Sequence, residues 1–386
     1  MLAITNAKIY PVDKPVIESG TVLVKSGKIT AVGDDVQVPA NAEIIDAQGK
    51  SVFPGFIDAH SHLGLYESSI GFEGSDGNEA TDPITPNMRA IDGFNPLDIS
   101  VKEAREAGVT ACAAGPGSAN VVGGTFMAVK TSGVRADDMV IKDPVAMKIA
   151  FGENPKRVYN AKGKVPSTRM GTAAVLREIL AKTKRYNDQI QRAGDDVSKL
   201  PGYDAKLEAM LPVIKKEIPL KAHAHRADDI FTALRIAREF DVKITLDHCT
   251  DGALIARYIA EEGVPAIVGP SFGHRTKFEL TNKDFVTPGI LARAGVKVAI
   301  TTDSPVTPLH SLPLMAGMAV AAGMDEDEAL KAITLNPAEI IGIEDRVGSI
   351  TPGKDADLAI YEGHPFEISS KPWMVFIDGV MVRQEK

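Results

Sequence analysis

The sequence predicts an α/β protein in which a barrel of βα units is flanked by the two halves of a small β domain. A change of period along the chain and the placement of the histidines predict it. Residues 1–52 are short alternating runs broken by turn signals such as Ser26-Gly27-Lys28 and Val32-Gly33-Asp34-Asp35, the pattern of a small antiparallel β unit. From Phe53 to about Leu335, apolar runs of strand length alternate with segments of helical period, among them Ala227 to Phe240, which predicts βα units and a parallel sheet. After Val347-Gly348-Ser349-Ile350-Thr351-Pro352-Gly353-Lys354 the short runs return, in Ala356 to Tyr361 and Trp373 to Val380. Residues 350–386 therefore complete the β domain begun by residues 1–52, and residues 53–349 form the barrel.

Within the barrel, Phe53-Pro54-Gly55-Phe56-Ile57-Asp58-Ala59-His60-Ser61-His62 reads as a buried strand carrying two imidazoles to its C-terminal tip. Side chains alternate along a strand, so His60 and His62 face the same way. His223 and His225 end a second run, His248 a third, and Asp303 follows a fourth, Val296 to Thr302. Five imidazoles and one carboxylate thus fall at the C-terminal ends of four strands, the face of a parallel barrel on which active sites assemble. Imidazole with carboxylate suits zinc, manganese, iron or nickel and argues against calcium, which prefers oxygen donors.

Length and composition exclude several classes. The 386 residues bury a large core, and a net charge of −8 leaves no basic footprint for nucleic acid. No apolar run is long enough to span a membrane, and the start, Met1 to Tyr10, alternates like a strand and lacks the features of a signal peptide. Two cysteines, Cys112 and Cys249, are too few for a disulfide framework; packing suits them, and a cytoplasmic enzyme is expected. The stretch Phe72 to Asn95, rich in Gly, Asp, Asn and Pro, leaves the metal face and is read as a substrate lid or as a contact within a homo-oligomer.

Taken with Thr334-Leu335-Asn336-Pro337-Ala338 and Gly348 to Leu358, these motifs resemble the amidohydrolase superfamily, nearest to its imidazolonepropionase-like branch. The resemblance covers nearly the whole chain. It implies a distorted (β/α)8 TIM barrel with a composite β-sandwich, one or two divalent metal ions with zinc foremost, and a small-molecule substrate. Carried over by position, it implies metal ligands at His60, His62, His223, His248 and Asp303, with His225 assigned to the substrate or the transition-state oxyanion. A bridging anion is also implied, from the stretch Val145 to Pro155. Glu153 is favoured because it lies at a strand terminus, and a carboxylated Lys148 is the alternative.

The chemistry implied is metal-assisted hydrolysis of a carbon–nitrogen bond, amide or peptide-like, with Asp303 taking a proton from water and handing it to the leaving nitrogen. Deaminases of the superfamily carry a glutamate three residues after the fifth-strand histidine, where this chain has Arg226. Deamination and the imidazolonepropionase reaction are therefore disfavoured, though a cyclic-amide hydrolase or deaminase with another proton shuttle stays open. A non-catalytic scaffold on the same fold is the remaining alternative, against which every expected ligand type is present. Arg275, with His274 beside it, is expected to bind a substrate carboxylate.

Overall fold

The computed structural model describes residues 1–68 and 71–385. Strands β1 (Leu2–Ile9), β2 (Ile17–Lys25), β3 (Lys28–Gly33), β4 (Glu43–Asp46) and β5 (Ser51–Pro54) open the chain. Barrel strands follow: β6 (Phe56–Ser61), β7 (Val109–Ala114), β8 (Val122–Lys130), β9 (Val140–Ala150), β10 (Leu220–Ala224), β11 (Ile244–His248), β12 (Ala266–Val268) and β13 (Val298–Ile300). The chain closes with β14 (Leu358–Tyr361), β15 (Pro372–Ile377) and β16 (Val380–Gln384).

Both ends of the chain build one sheet, in the order β16-β15-β14-β5-β1-β2-β3, with β4 also on β1. Ile4, Ile9, Val22, Val52, Leu358 and Phe376 share its core. The β2–β3 turn is tight because Ser26 and Gly27 both take positive φ, +51° and +79°. The expected antiparallel pattern holds only in part, since β1 runs parallel to β4 and β5.

The other sheet runs β13-β12-β11-β10-β9-β8-β7-β6, a nearly closed barrel. One strand departs from the expected parallel order: β8 is antiparallel to both neighbours. Only Gly115–Val121 joins β7 to β8, too short for the crossover that a parallel pair requires. The seam between β6 and β13 is filled from both ends. Between the two strands, Ile57 N–H bonds Ile333 O at 2.8 Å and Ile300 N–H bonds Ala332 O at 2.9 Å, so the segment Ala332-Ile333 stands between them. At the upper rim His62 N–H donates to Ser304 O (2.8 Å), Thr301 Oγ1 to His60 O (2.6 Å) and Thr302 N–H to the Asp58 carboxylate (2.8 Å).

Gly55 alone separates β5 from β6, so one continuous segment passes from the small sheet into the barrel. A Cβ there would overlap the side chain of Thr110, which is fully buried on β7. Across the two sheets, Lys130 on β8 is buried against Asp355, Asp357 and Asp378 at 2.8, 2.9 and 2.6 Å. Lys28 and Arg346 add two further cations to Asp355. No helix among the described residues is long and apolar enough to cross a membrane.

Candidate active site

The upper rim of the barrel gathers the histidines into two groups, His60, His62 and Asp303, and His223, His225 and His248, the donor atoms of each lying within 4.8 Å of one another. Asp303 Oδ1 is 3.2 Å from His60 Nε2 and 3.1 Å from His62 Nε2. Asp58, two residues before His60 and fully buried, also accepts the His60 backbone N–H at 3.0 Å. Its bonds to Thr302 thereby lock the His60 strand to the segment that carries Asp303.

Backbone carbonyls orient the rings. His62 Nδ1 donates to Gly115 O (2.7 Å) and His248 Nδ1 to Gly269 O (2.8 Å), which leaves each Nε2 turned to the centre. His225 Nδ1 is paired with Thr250 Oγ1 at 2.7 Å. Burial lowers His223 and His225 well below the ordinary imidazole value and pushes His248 down to about 3. At neutral pH these lone pairs are therefore free to coordinate.

Beneath the histidines lies a buried charged floor. Asp247 accepts from Lys221 Nζ at 3.0 Å and Lys148 Nζ at 3.1 Å, and its Oδ2 is 3.0 Å from His60 Nδ1. The ring of Phe126 stacks on His60 and carries both ammonium groups over its face, at 5.6 and 5.4 Å. Burial lowers both lysines from their ordinary value. Lys148 faces both histidine groups, its charge bearing on His60, His223, His225 and His248.

The predicted site residues separate accordingly. His60, His62, His223, His225, His248 and Asp303 come together, and Lys148 lies in the floor beneath them, on Asp247. Glu153 does not join either group: it is the first residue of the helix Glu153–Asn160, beyond the end of β9, and its backbone N–H bonds Glu279. Arg275 is exposed and donates to Lys283 O at 3.1 Å, away from the cavity over the histidines, whereas His274 lines that cavity. Arg226 is occupied by a two-bond fork to Asp228. Asp247, Lys221, Asp58 and Glu279 were not foreseen. Asp58 and Lys221 share the period-two face of His60 and His223 and were findable; Asp247 was hidden because neighbours on a strand face opposite ways. The φ of +74° at His248 breaks that alternation and lets both residues serve the interior.

A cavity of about 650 Å³ opens above, with His62, Tyr66, His223, His225 and Asp303 in its lining. From the loop Phe72 to Asn95 it receives only Asn78, and the loop is otherwise stitched to β8 through Thr85 and Thr125. Arg157, Lys277 and Lys283 also line it, and Asp303 is the only carboxylate among the described lining residues. A somewhat larger hollow, about 720 Å³, is lined by Glu217, Asp241 and Lys297 among others and holds none of these histidines.

A divalent cation fits this donor set. His60 Nε2, His223 Nε2 and Asp303 Oδ1 are buried polar atoms without a hydrogen-bond partner, an arrangement that metal coordination satisfies and that packing alone leaves costly. Fold and rim together define a barrel whose strand ends carry donors suited to a divalent cation.

Comparison with known proteins agrees. Residues 51–382 match the Amidohydrolase family, and the chain belongs to it. It is 45% identical to an amidohydrolase from Thermotoga maritima MSB8, whose crystal structure aligns over the whole of both chains with a TM-score of 0.96. It is 31% identical to the amidohydrolase tasK of Hapsidospora irregularis over 93% of this chain, although the chain spans only 39% of that relative's length. An imidazolonepropionase of Geobacillus kaustophilus is 28% identical, with 90% of this chain and 85% of that protein covered.

Proposed function

We propose that the protein hydrolyses a carbon–nitrogen bond, amide or peptide-like, in a small molecule that carries a carboxylate. The observation that supports this most is the set of unpartnered imidazole and carboxylate atoms at the base of a cavity whose other charged groups are cationic. In this reading His60, His62 and Asp303 hold one divalent ion, His223, His225 and His248 offer a second donor set, and Lys148, not Glu153, is the candidate for a link between them. Zinc suits these donors best, and His225 passes from substrate contact to ligand. Such a cation, when bound, activates water and polarises the scissile carbonyl.

The chain's own groups supply the rest. Asp303 accepts the proton of the attacking water and returns it to the leaving nitrogen. Asp58 and the carbonyls of Gly115 and Gly269 hold the donors in place. Lys277, whose Nζ donates to Asn154 Oδ1 at 2.7 Å, and Arg157 take the substrate carboxylate, the role expected of Arg275. Two buried, free cysteines accord with a reducing compartment such as the cytoplasm.

A screen of N-acyl amino acids, dipeptides and lactams, with zinc or manganese added, tests the proposal. Turnover is expected on open-chain amides ending in a carboxylate, and should vanish on chelation and return with metal. Turnover confined to lactams would favour the cyclic-amide reading. Turnover that survives full chelation would reject the metal.

A further inference from the structure

With His225 counted among the donors of the rim, the oxygen of the scissile carbonyl loses the partner that the sequence suggested for it. Tyr66, four residues beyond His62, lines the same cavity. Its ring stands edge-on to that of His62, with centroids 5.8 Å apart, and His62 Nε2 is 3.1 Å from Asp303 Oδ1. The phenol thus flanks the place where the attacking water gives up its proton.

The direction of the phenol proton follows from a chain of hydrogen bonds. The backbone N–H of Ala119 can only donate, and it donates to Asn78 Oδ1 at 3.0 Å. That contact turns the other end of the amide, the donor Nδ2, onto the Tyr66 oxygen. The phenol oxygen therefore accepts from Asn78, and its own proton is left to the cavity, where nothing among the described residues accepts it. Close packing holds ring and amide in place. A Cβ on Gly77 would overlap the Tyr66 ring, and one on Gly117 would overlap the Asn78 amide. Gly117 N–H bonds Gly77 O at 2.7 Å, which ties the Asn78 loop to the connection between β7 and β8.

An uncharged donor fixed in this way serves a charge that develops during reaction better than one already present. Lys277 and Arg157 meet the substrate carboxylate, and the carbonyl oxygen is the group that gains charge.

We propose that Tyr66 is a catalytic residue whose hydroxyl donates a hydrogen bond to the oxygen of the scissile carbonyl, and that Asn78 is the positioning residue that aims it. As the water oxygen bonds the carbonyl carbon, the π pair of the C=O bond moves onto that oxygen; it returns when the C–N bond breaks, and the phenol proton stays on Tyr66 throughout. The inference rests on the reading of the protein as an amide hydrolase. It also gives the loop Phe72 to Asn95, through Asn78, a defined part in catalysis.

The test is steady-state kinetics of Tyr66→Phe, Asn78→Asp and the double variant on an open-chain amide that wild type turns over, with zinc content and thermal melting as controls. Tyr66→Phe keeps the ring and is expected to lose about 100- to 1,000-fold in kcat, the range for removing one oxyanion donor, with KM, zinc content and Tm unchanged. Asn78→Asp keeps an oxygen for the Ala119 N–H but sets an acceptor against the phenol, which draws its proton out of the cavity. A comparable loss is expected, and the double variant should be no worse than Tyr66→Phe alone. A second readout needs no turnover. An N-methylphosphonyl amino acid, whose tetrahedral phosphorus carries the oxyanion, should bind Tyr66→Phe more weakly than wild type by about the same factor as the loss in kcat, while the free amino acid binds both equally.

Near-normal kcat and unchanged affinity for the phosphonyl compound in a folded, metal-loaded Tyr66→Phe would overturn the proposal. A raised KM with kcat intact would also overturn it, since the hydroxyl would then serve binding alone. Fully additive losses in the double variant would overturn the part given to Asn78. Wild type that turns over no amide of the screen would remove the hydrolase reading, and this proposal with it.

Discussion

Asp303 sits in a strained backbone conformation against two imidazoles. Its φ of +52° lies in the left-handed region, which a non-glycine residue occupies at some cost, and its Oδ1 stands against His60 and His62. Asp303→Asn keeps the shape and one oxygen donor but cannot accept a proton. Metal should remain largely bound while kcat falls by a factor on the order of 10² to 10⁴, measured with elemental analysis on the same samples; near-normal turnover with metal in place would remove Asp303 from the proton pathway. Lys148 and Glu153 give a second comparison. Lys148 is fully buried on Asp247, which also meets His60, whereas Glu153 belongs to neither histidine group, so Lys148→Met should sharply reduce metal content and activity and Glu153→Gln should be mild. The reverse pattern would restore Glu153 as the link. Residues at strand ends were legible in the sequence because period two and apolar runs predict where such ends point. Glu279 was not, because a loop without periodicity carries no signal of what it approaches.

At the scale of elements, the seam between β6 and β13 and the passage through Gly55 set the geometry of the first histidine pair. Gly55→Ala forces a methyl group into the Thr110 side chain, which is β-branched, buried and unable to swing aside. The substitution should destabilise by roughly 1–3 kcal/mol, the range for overpacking a filled interior, read as a lower Tm. Thr110→Ala in the same chain should restore part of the loss, since Thr110 Oγ1 makes no hydrogen bond that would be missed. An unchanged Tm in Gly55→Ala would mean that the junction yields. Alternating strand and helix patterns made the barrel legible from Phe53 onward. The reversed β8 was not, because an apolar run such as Val122 to Lys130 looks the same in either direction and only the seven-residue connection before it argues against a crossover.

The whole molecule is held together through Lys130, the buried cation that three carboxylates of the C-terminal segment share with the barrel. Burial works to lower its pKa, yet the charges and hydrogen bonds of Asp357, Asp355 and Asp378 prevail and raise it, so the ammonium stays charged. Lys130→Met removes the one cation that reaches Asp357 in this cluster and leaves that carboxylate buried; a loss of about 3–5 kcal/mol is expected, the range for breaking a buried pair from one side. Denaturant unfolding would show it, and a loss below about 1 kcal/mol, typical of exposed pairs, would mean that water enters the interface freely. The pairing of β5 with β14 joins residues Ser51–Pro54 to Leu358–Tyr361. During synthesis the edge of β5 must therefore wait for on the order of 300 further residues, which at about 5–20 residues per second is tens of seconds. Throughout that interval the nascent chain presents an unpaired strand edge, the feature that invites association with other chains. Ribosome-bound intermediates of this protein thus have a defined point of vulnerability, and it closes only when β14 emerges.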